Sequence, residues 1–228
     1  MNGLDSGIKY AAQLSNVREV SLNGSADTAF WKELLRKDGL MPMERDGQAQ
    51  VMICGADSRF WGIRFRELSV SVFARRIADG REGAYLAQAF NSLKFFAFVE
   101  RRRFATPYYF GKVQVDFRIP ASLQVARAGG ITFRAAMAAD ATKREPARSG
   151  EDGWEGPLFL PGATGKWFYA KLTGHTLAYP FARNDSVTLK PTPRDWAFHW
   201  LSESNFRGRE WLIREDARHA KSKSYSGI

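Results

Sequence analysis

Apolar and polar residues alternate along several short stretches of the chain, which is typical of strands with one buried face. The clearest stretch covers residues 67–75, where Leu68, Val70 and Val72 face one way and the polar residues between them face the other. Alternation or short apolar runs predict further strands at 48–54, 84–90, 113–119, 131–137, 167–172, 176–181 and 187–189.

Two segments have a helical pattern. Residues 29–37 place their aromatic and leucine side chains on one face, Asp27 lies before them as an N-capping residue, and Gly39 follows as a stop. Residues 92–103 predict a second helix, which ends in three consecutive arginines. Arginines at a helix C-terminus are favoured there by the helix dipole alone.

Three segments give no firm period. Residues 1–24 are predicted to be a lead-in or an edge segment. Residues 140–157 are predicted to be a long loop, which is either an insertion or a lid. For the tail from Arg207 the sequence predicts no regular element. Many strands and few helices favour an α+β class with a mainly antiparallel sheet that can close as a barrel. No linker divides the chain, so we expect one domain over residues 1–228.

Composition narrows the classes of protein. Cys54 is the only cysteine in the sequence, which excludes an internal disulfide. The sequence shows no signal peptide, in which a basic segment precedes an apolar one, and no apolar run long enough to span a membrane. We therefore expect a cytoplasmic protein with no membrane partner. The net charge is +10, and residues 59–127 hold thirteen basic against five acidic side chains. Such a surface attracts nucleic acid or an anionic small molecule.

Most local motifs carry no chemistry. Residues 162–166 lack the spacing and the hydroxyl residue of a phosphate-binding loop and predict a turn. His175, His199 and His219 have no nearby metal-ligand partner in the sequence, so we interpret them as structural, and we expect neither a metal nor a cofactor. Cys54 is predicted to be a small buried apolar residue.

Two places are better candidates. Glu67 begins a strand that has an apolar face, and it follows Arg64 and Arg66 closely. It therefore either forms an ion pair at the surface or supplies a carboxylate that orients a ligand. The stretch from Arg101 to Lys112 reads RRRFATPYYFGK. Its proline extends the chain, and its two tyrosines pack in the core or present hydroxyl groups to a cavity.

The order of these features resembles the acetoacetate decarboxylase superfamily over residues 34–119. The similarity is carried by the strand FRELSVSV with Glu67, the strand GAYLAQAF with Tyr85, and the segments FVER and TPYY. The resemblance implies a cone-like antiparallel barrel that encloses a ligand pocket. Glu67 would match the pocket glutamate and Arg101 the arginine of the family, while Tyr108 and Tyr109 would occupy the positions of its two lysines.

This last match changes the expected chemistry. The family activity needs a lysine amine that forms an imine, and a phenol cannot form one. Lys112 could replace it only in a different register. We therefore expect a pocket for an oxo- or carboxyl-bearing metabolite, with acid–base chemistry by Glu67 as base and Tyr108 or Tyr109 as acid.

The remaining contacts and partners follow from the same comparison. The residues expected to bind the substrate are Arg101, Arg64, Tyr85 and Lys112. A homo-oligomer is expected because relatives of this fold assemble. The alternative is a non-catalytic binding module that contacts nucleic acid through the basic surface, and its affinity would then fall steeply with salt.

Overall fold

The computed structural model describes residues 8–127, 130–162 and 165–225. Within these ranges the strands are β1 (Tyr10–Asp27), β2 (Leu40–Pro42), β3 (Glu44–Arg45), β4 (Gln48–Phe60), β5 (Ile63–Arg76), β6 (Glu82–Asn91), β7 (Tyr108–Phe110), β8 (Lys112–Asp116), β9 (Ser122–Arg127), β10 (Gly130–Ala136), β11 (Arg148–Phe159), β12 (Trp167–Pro180), β13 (Ser186–Leu189) and β14 (Arg207–Ser222). The helices are α1 (Thr28–Arg36), α2 (Lys94–Arg103) and α3 (Ala197–Glu203), and a 3₁₀ turn covers Ala139–Lys143. In this part of the chain, none of the helices has the length and apolar character needed to cross a bilayer.

The larger of two sheets curls back on itself. Its strands follow the order β2-β5-β4-β1-β14-β12-β11-β6-β7, and β5 also pairs with β6. The contact that joins β11 to β6 is parallel and covers two residue pairs, so the ring is not an ideal barrel. The second sheet has the order β13-β10-β9-β8. The predicted α+β class with a mainly antiparallel, ring-like sheet is confirmed.

The main core lies between the two sheets. On β5, Leu68, Val70 and Val72 are buried in this core, as the alternation predicted. The sheets approach closely at Gly55 of β4, where an added Cβ would lie 2.3 Å from a methyl carbon of Leu123. Because side chains alternate along a strand, the other face of each ring strand points into the ring.

Helix α1 forms as its sequence predicts. The Asp27 carboxylate accepts a hydrogen bond from the backbone N–H of Phe30 at 3.0 Å, which caps the helix. Trp31 and Leu35 are fully buried, and Gly39 follows with a φ of 70°, in the left-handed region that favours glycine. The second predicted helix is also present, as α2.

Three predictions for irregular segments are wrong. Residues 10–27 are a central strand between β4 and β14 and not an edge segment, and residues 148–159 are strand β11 and not a loop. The tail from Arg207 is the central strand β14. These strands have two pairing partners or bulges, which hide the two-residue period. Residues 1–7 of the predicted lead-in, and 163–164 of the predicted turn, lie outside the described residues.

A single strand also replaces two predicted ones. Residues 167–180 form the continuous strand β12, whereas the sequence predicted one strand at 167–172 and another at 176–181. The register against β14 is irregular between Thr173 and Leu177, and Gly174 lies in that interval. This irregularity interrupts the alternation without ending the strand.

Candidate functional site

The interior of the ring is a cavity of about 280 Å³. Most of its wall is apolar, and the larger apolar side chains in it are Met52, Phe65, Leu86, Phe96, Phe104, Trp154, Leu158, Phe168 and Leu172. Polar and charged groups join them from several elements, among them Cys54, Glu67, Asn91, Glu100, Tyr108, Lys171, His219 and Lys221. An apolar cavity with a few convergent polar groups is the usual form of a small-molecule site.

Glu67 and Tyr108 meet in this cavity. The Tyr108 hydroxyl donates a hydrogen bond to Oε1 of Glu67 at 2.8 Å. Glu67 faces inward from β5, and Tyr108 is the first residue of β7, which the extended backbone before it brings alongside β6. Burial raises the pKa of Glu67, and the Tyr108 hydrogen bond opposes that rise. Burial and the nearby carboxylates raise the pKa of Tyr108, so its phenol stays neutral.

A cation reaches the same cavity from β14. The Lys221 ammonium forms an ion pair with Glu100 of α2. The Thr106 hydroxyl also donates to Glu100 Oε2, at 2.8 Å. Lys221 Nζ lies 4.5 Å from the ring centroids of both Phe104 and Phe168, a distance at which a cation is attracted to an aromatic face. An ammonium group is thus held in the aromatic wall.

His219 lies two residues earlier on the same strand and is fixed by a buried carboxylate. Its Nε2 is 2.6 Å from Oε2 of Glu19 on β1. The other oxygen of Glu19 accepts a hydrogen bond from Ser21 at 2.9 Å and forms an ion pair with Arg214. Burial by itself would raise the pKa of Glu19, but His219 and Arg214 lower it to about 2. Glu19 is therefore an anion at neutral pH.

Cys54 lies on β4 and lines the cavity. Its thiol is buried, as the sequence predicted, and burial raises the pKa of the thiol well above its usual range. A thiol that remains protonated is a poor nucleophile. Cys54 therefore contributes surface to the cavity wall.

Tyr109 and Arg101 lie on the other side of β7. The Tyr109 ring packs against Phe90 and Trp196 at centroid distances of 6.3 and 5.9 Å, and the Arg101 guanidinium lies 5.1 Å over the Tyr109 ring. Consecutive strand residues point to opposite faces, so Tyr108 and Tyr109 cannot both enter the ring. The sequence had placed both of them at the site.

The other predicted contacts also lie away from the cavity wall. Arg64 makes two hydrogen bonds to Asp57, at 2.9 and 2.6 Å, in a separate groove on the surface. Tyr85 is fully buried in the core between the sheets, and Lys112 is exposed on the second sheet. The structure thus brings Glu67 and Tyr108 together and leaves the other predicted residues apart, and we do not include those in the site.

The sequence reasoning did not place four residues that lie at the cavity or in ion pairs beside it. His219 and Lys221 share a face of β14, Glu19 lies on β1, and Glu100 lies on α2. The spacing of His219 and Lys221 by two residues was the one signal that could have identified them, had the tail been recognised as a strand. Glu19 and His219 are 200 residues apart, and no local pattern links them.

Comparisons with known proteins agree with this architecture. No protein-family model matches the chain, and no curated protein matches it. Among solved structures, an acetoacetate decarboxylase-like enzyme from Sphingomonas wittichii RW1 is similar with 15% identity and a TM-score of 0.59, over 97% of this chain and 94% of that one. Acetoacetate decarboxylase from Legionella pneumophila has 13% identity and a TM-score of 0.63, over 97% and 89% of the two chains.

A third similar structure is that of an enzyme of enduracididine biosynthesis. The enduracididine biosynthesis enzyme MppR, in complex with the condensation product of pyruvate and imidazole 4-carboxaldehyde, has 11% identity and a TM-score of 0.65, over 97% of this chain and 92% of that one. At such low sequence identity, the similarity between these structures and this chain is a similarity of fold alone. The chain has the acetoacetate decarboxylase-like fold, which confirms the structural side of the resemblance seen in its sequence.

Proposed function

We propose that the chain binds a small oxo- or carboxyl-bearing molecule inside the ring and acts on it by proton transfer. The observation that carries this proposal is the hydrogen bond of 2.8 Å between Tyr108 and Glu67 in a largely apolar cavity. A carboxyl group whose pKa is raised by its surroundings and which faces a cavity is a typical acid–base group. The fold shared with acetoacetate decarboxylases and MppR supports a site in this place.

The raised pKa decides which direction of proton transfer suits Glu67. The carboxyl form persists to higher pH than that of an exposed glutamate, because burial disfavours the charge. Tyr108 occupies Oε1, so Oε2 remains to hold a proton and give it to the carbonyl oxygen of a ligand. This is an acid role, whereas the sequence had suggested a base. Enolisation, dehydration and retro-aldol steps all require such a donor.

Lys221 supplies the contact for a carboxylate. It is an ammonium group inside the cavity wall, and its own counter-ion, Glu100, is held by Thr106. The sequence had assigned this role to Arg101 or Arg64. MppR, which is similar in fold, has been determined in complex with pyruvate, a 2-oxo acid, and this favours the same ligand class for this chain.

An imine mechanism is the competing possibility, because Lys221 is an amine at the cavity even though tyrosines occupy the family positions. Imine formation requires an uncharged amine. Nζ of Lys221 already contacts the Glu100 carboxylate and lies over the Phe104 ring, so it is not free to attack a carbonyl carbon. We therefore assign Lys221 to binding. Borohydride reduction in the presence of pyruvate should leave the protein mass unchanged, and a reduced adduct on Lys221 would replace this assignment.

The proposal is tested by exchange of ligand protons with solvent. Pyruvate and 4-methyl-2-oxopentanoate are incubated with the protein in D₂O, and loss of the C3 proton signals is followed by NMR against a protein-free sample. Glu67→Gln should slow exchange by about 10²–10⁴-fold, the usual contribution of a positioned acid or base. The matched control is Glu82→Gln, which alters an exposed ion pair with Arg75. Equal exchange by Glu67→Gln and the unaltered protein would disprove the role.

A further inference from the structure

A histidine and a buried carboxylate form a second acid–base unit at the cavity, on the opposite side of the ring from β5. We propose that Nδ1 of His219 is the base that removes the proton from the carbon of the ligand, and that Glu19 is the residue that positions it. This inference rests on the proposed function and deepens it. Enolisation needs two groups, one to take a proton from carbon and one to give a proton to oxygen, and Glu67 accounts for only one.

The carboxylate determines which nitrogen of the histidine is available. Glu19 is ionised and can only accept hydrogen bonds, so the proton between it and His219 belongs to Nε2. In the form of the ring that carries a single proton, the lone pair is then on Nδ1. Among the described residues Nδ1 has no hydrogen-bond partner, and His219 lies in the cavity wall. A histidine whose second nitrogen is held by a carboxylate is a well-oriented general base.

Glu19 is itself held rigidly. Its Oε1 accepts from Ser21 and pairs with Arg214, and Arg214 also donates to the hydroxyl of Thr176 at 2.6 Å. The carboxylate is fully buried, so water does not compete for these bonds. A ring nitrogen bound to such an anchor keeps one orientation, which is what proton abstraction at a fixed carbon requires.

The spacing along β14 brings a cation and the proposed base to the same wall of the cavity. His219 and Lys221 are two residues apart on one face, which places their Cα atoms about 7 Å apart. A carboxylate held by Lys221 would put the carbon next to the carbonyl group near His219. Glu67 on β5 lines the same cavity as Lys221 and His219. The carbonyl oxygen can therefore meet Glu67 while C3 meets His219.

The proposed step conserves atoms and electrons. His219 Nδ1 takes the C3 proton, the electron pair of the C–H bond forms the C–C double bond of the enol, and Glu67 gives its proton to the carbonyl oxygen. The reverse steps return a deuteron from solvent to C3. The titratable and charged groups that share the cavity or the ionic network with His219 come from β1, β4, β5, β7, β12, β14 and α2, and they include Glu19, Cys54, Glu67, Glu100, Tyr108, Lys171, Arg214 and Lys221.

The first experiment does not depend on turnover of a substrate. Diethyl pyrocarbonate reacts with an unprotonated, accessible imidazole nitrogen, and peptide mass spectrometry locates the product. We expect modification at His219, and pyruvate should protect it. The internal reference is His175, which lies on the neighbouring strand β12 outside the cavity lining and contacts Ser149 at 3.2 Å. A His219 that stays unmodified while His175 reacts would overturn the proposal, whatever ligand the cavity binds.

The second experiment separates this inference from the proposed function. His219→Gln keeps an N–H donor for Glu19 but cannot act as a base. It should slow C3 exchange about 10²–10⁴-fold while pyruvate affinity, measured by calorimetry, stays within a factor of two or three. His175→Gln should exchange like the unaltered protein. Normal exchange by His219→Gln overturns the role of His219 and leaves the proposed function intact.

The remaining outcomes are also decisive. If pyruvate and 4-methyl-2-oxopentanoate bind but the unaltered protein exchanges neither, His219 is not a base for this ligand class. If neither binds, the proposed function fails for 2-oxo acids, and the proposal for His219, which rests on it, fails with it. Glu19→Gln, assayed below its unfolding temperature, should lower the exchange rate at saturating pyruvate without changing the half-saturating concentration. A change in half-saturation alone would assign Glu19 to binding.

Discussion

Replacement of Glu19 by glutamine tests how much the buried network contributes to stability. Glu19 is fully buried and joins β1 to β14 through Arg214 and His219. The variant keeps the shape of the side chain but removes the negative charge, so that Arg214 stays buried without its counter-ion. Breaking a buried ion pair from one side costs about 3–5 kcal/mol. In a protein of this length that cost lowers the midpoint of thermal unfolding by about 6–20 °C.

The pH dependence provides an independent measure of the same interaction. The pKa of Glu19 falls from 4.5 to about 2 in the folded protein. Each unit of pKa shift corresponds to about 1.4 kcal/mol, so the ionised Glu19 contributes about 3 kcal/mol to the free energy of unfolding. A group whose pKa is lower in the folded state stabilises fully above its unfolded pKa, and this stabilisation is lost as the pH falls towards the folded pKa. About half of it should be lost by pH 3.

The assay is urea unfolding at pH 7 and at pH 3, followed by tryptophan fluorescence. The difference between the unaltered protein and Glu19→Gln should be large at pH 7 and smaller by about 2 kcal/mol at pH 3. Glu82→Gln is the control, because its partner Arg75 is exposed and such pairs contribute about 0–1 kcal/mol. A loss below 1 kcal/mol for Glu19→Gln at pH 7, or a difference that grows in acid, would refute the reasoning.

Three further predictions concern the site and the core. Tyr108→Phe removes the hydrogen bond that lowers the pKa of Glu67, so this pKa should rise in a ¹³C NMR titration, whereas Tyr109→Phe should leave it unchanged. Asp185→Asn should lower the free energy of unfolding by about 3–5 kcal/mol at pH 7. The loss should be smaller at pH 3, because hydrogen bonds to this buried carboxylate lower its pKa, and urea unfolding at both pH values measures the difference. Gly55→Ala should lower the free energy of unfolding by about 1–3 kcal/mol in the same assay. The new Cβ would lie 2.3 Å from a methyl carbon of Leu123 in the second sheet.

The strands that the sequence predicted have either an apolar face opposite a polar face or a short apolar run. On β5 the alternation identified the core residues and put Glu67 on the opposite face, but it did not decide between a surface ion pair and a site inside the ring. The same two-residue rule, applied to β7, would have shown that Tyr108 and Tyr109 point to opposite sides. The sequence reasoning kept both at the site, because it followed the positions of two consecutive lysines in the family and not the geometry of the strand.

Two of the long strands that the sequence did not predict, β1 and β14, carry the ionic network around Glu19. β1 and β14 pair with each other over most of their lengths, and bulges interrupt their register near Leu14–Glu19 and at Asn23. Arg214 is buried here because a carboxylate from the other end of the chain neutralises it. Such a pairing is long-range, so the tail from Arg207 looked like a charged segment without a period.

The positive charge of the chain is therefore a poor guide to its site. The arginines that drew attention in the sequence have partners outside the cavity: Arg64 binds Asp57 and Arg101 lies over Tyr109. Inside the ring, the apolar wall raises the pKa of Glu67. A buried anion that no motif revealed, Glu19, holds His219. The two proton-transfer roles that we propose, for Glu67 and His219, require different local environments, and the ring sheet supplies them by bringing an aromatic wall and an ionic network to the same cavity.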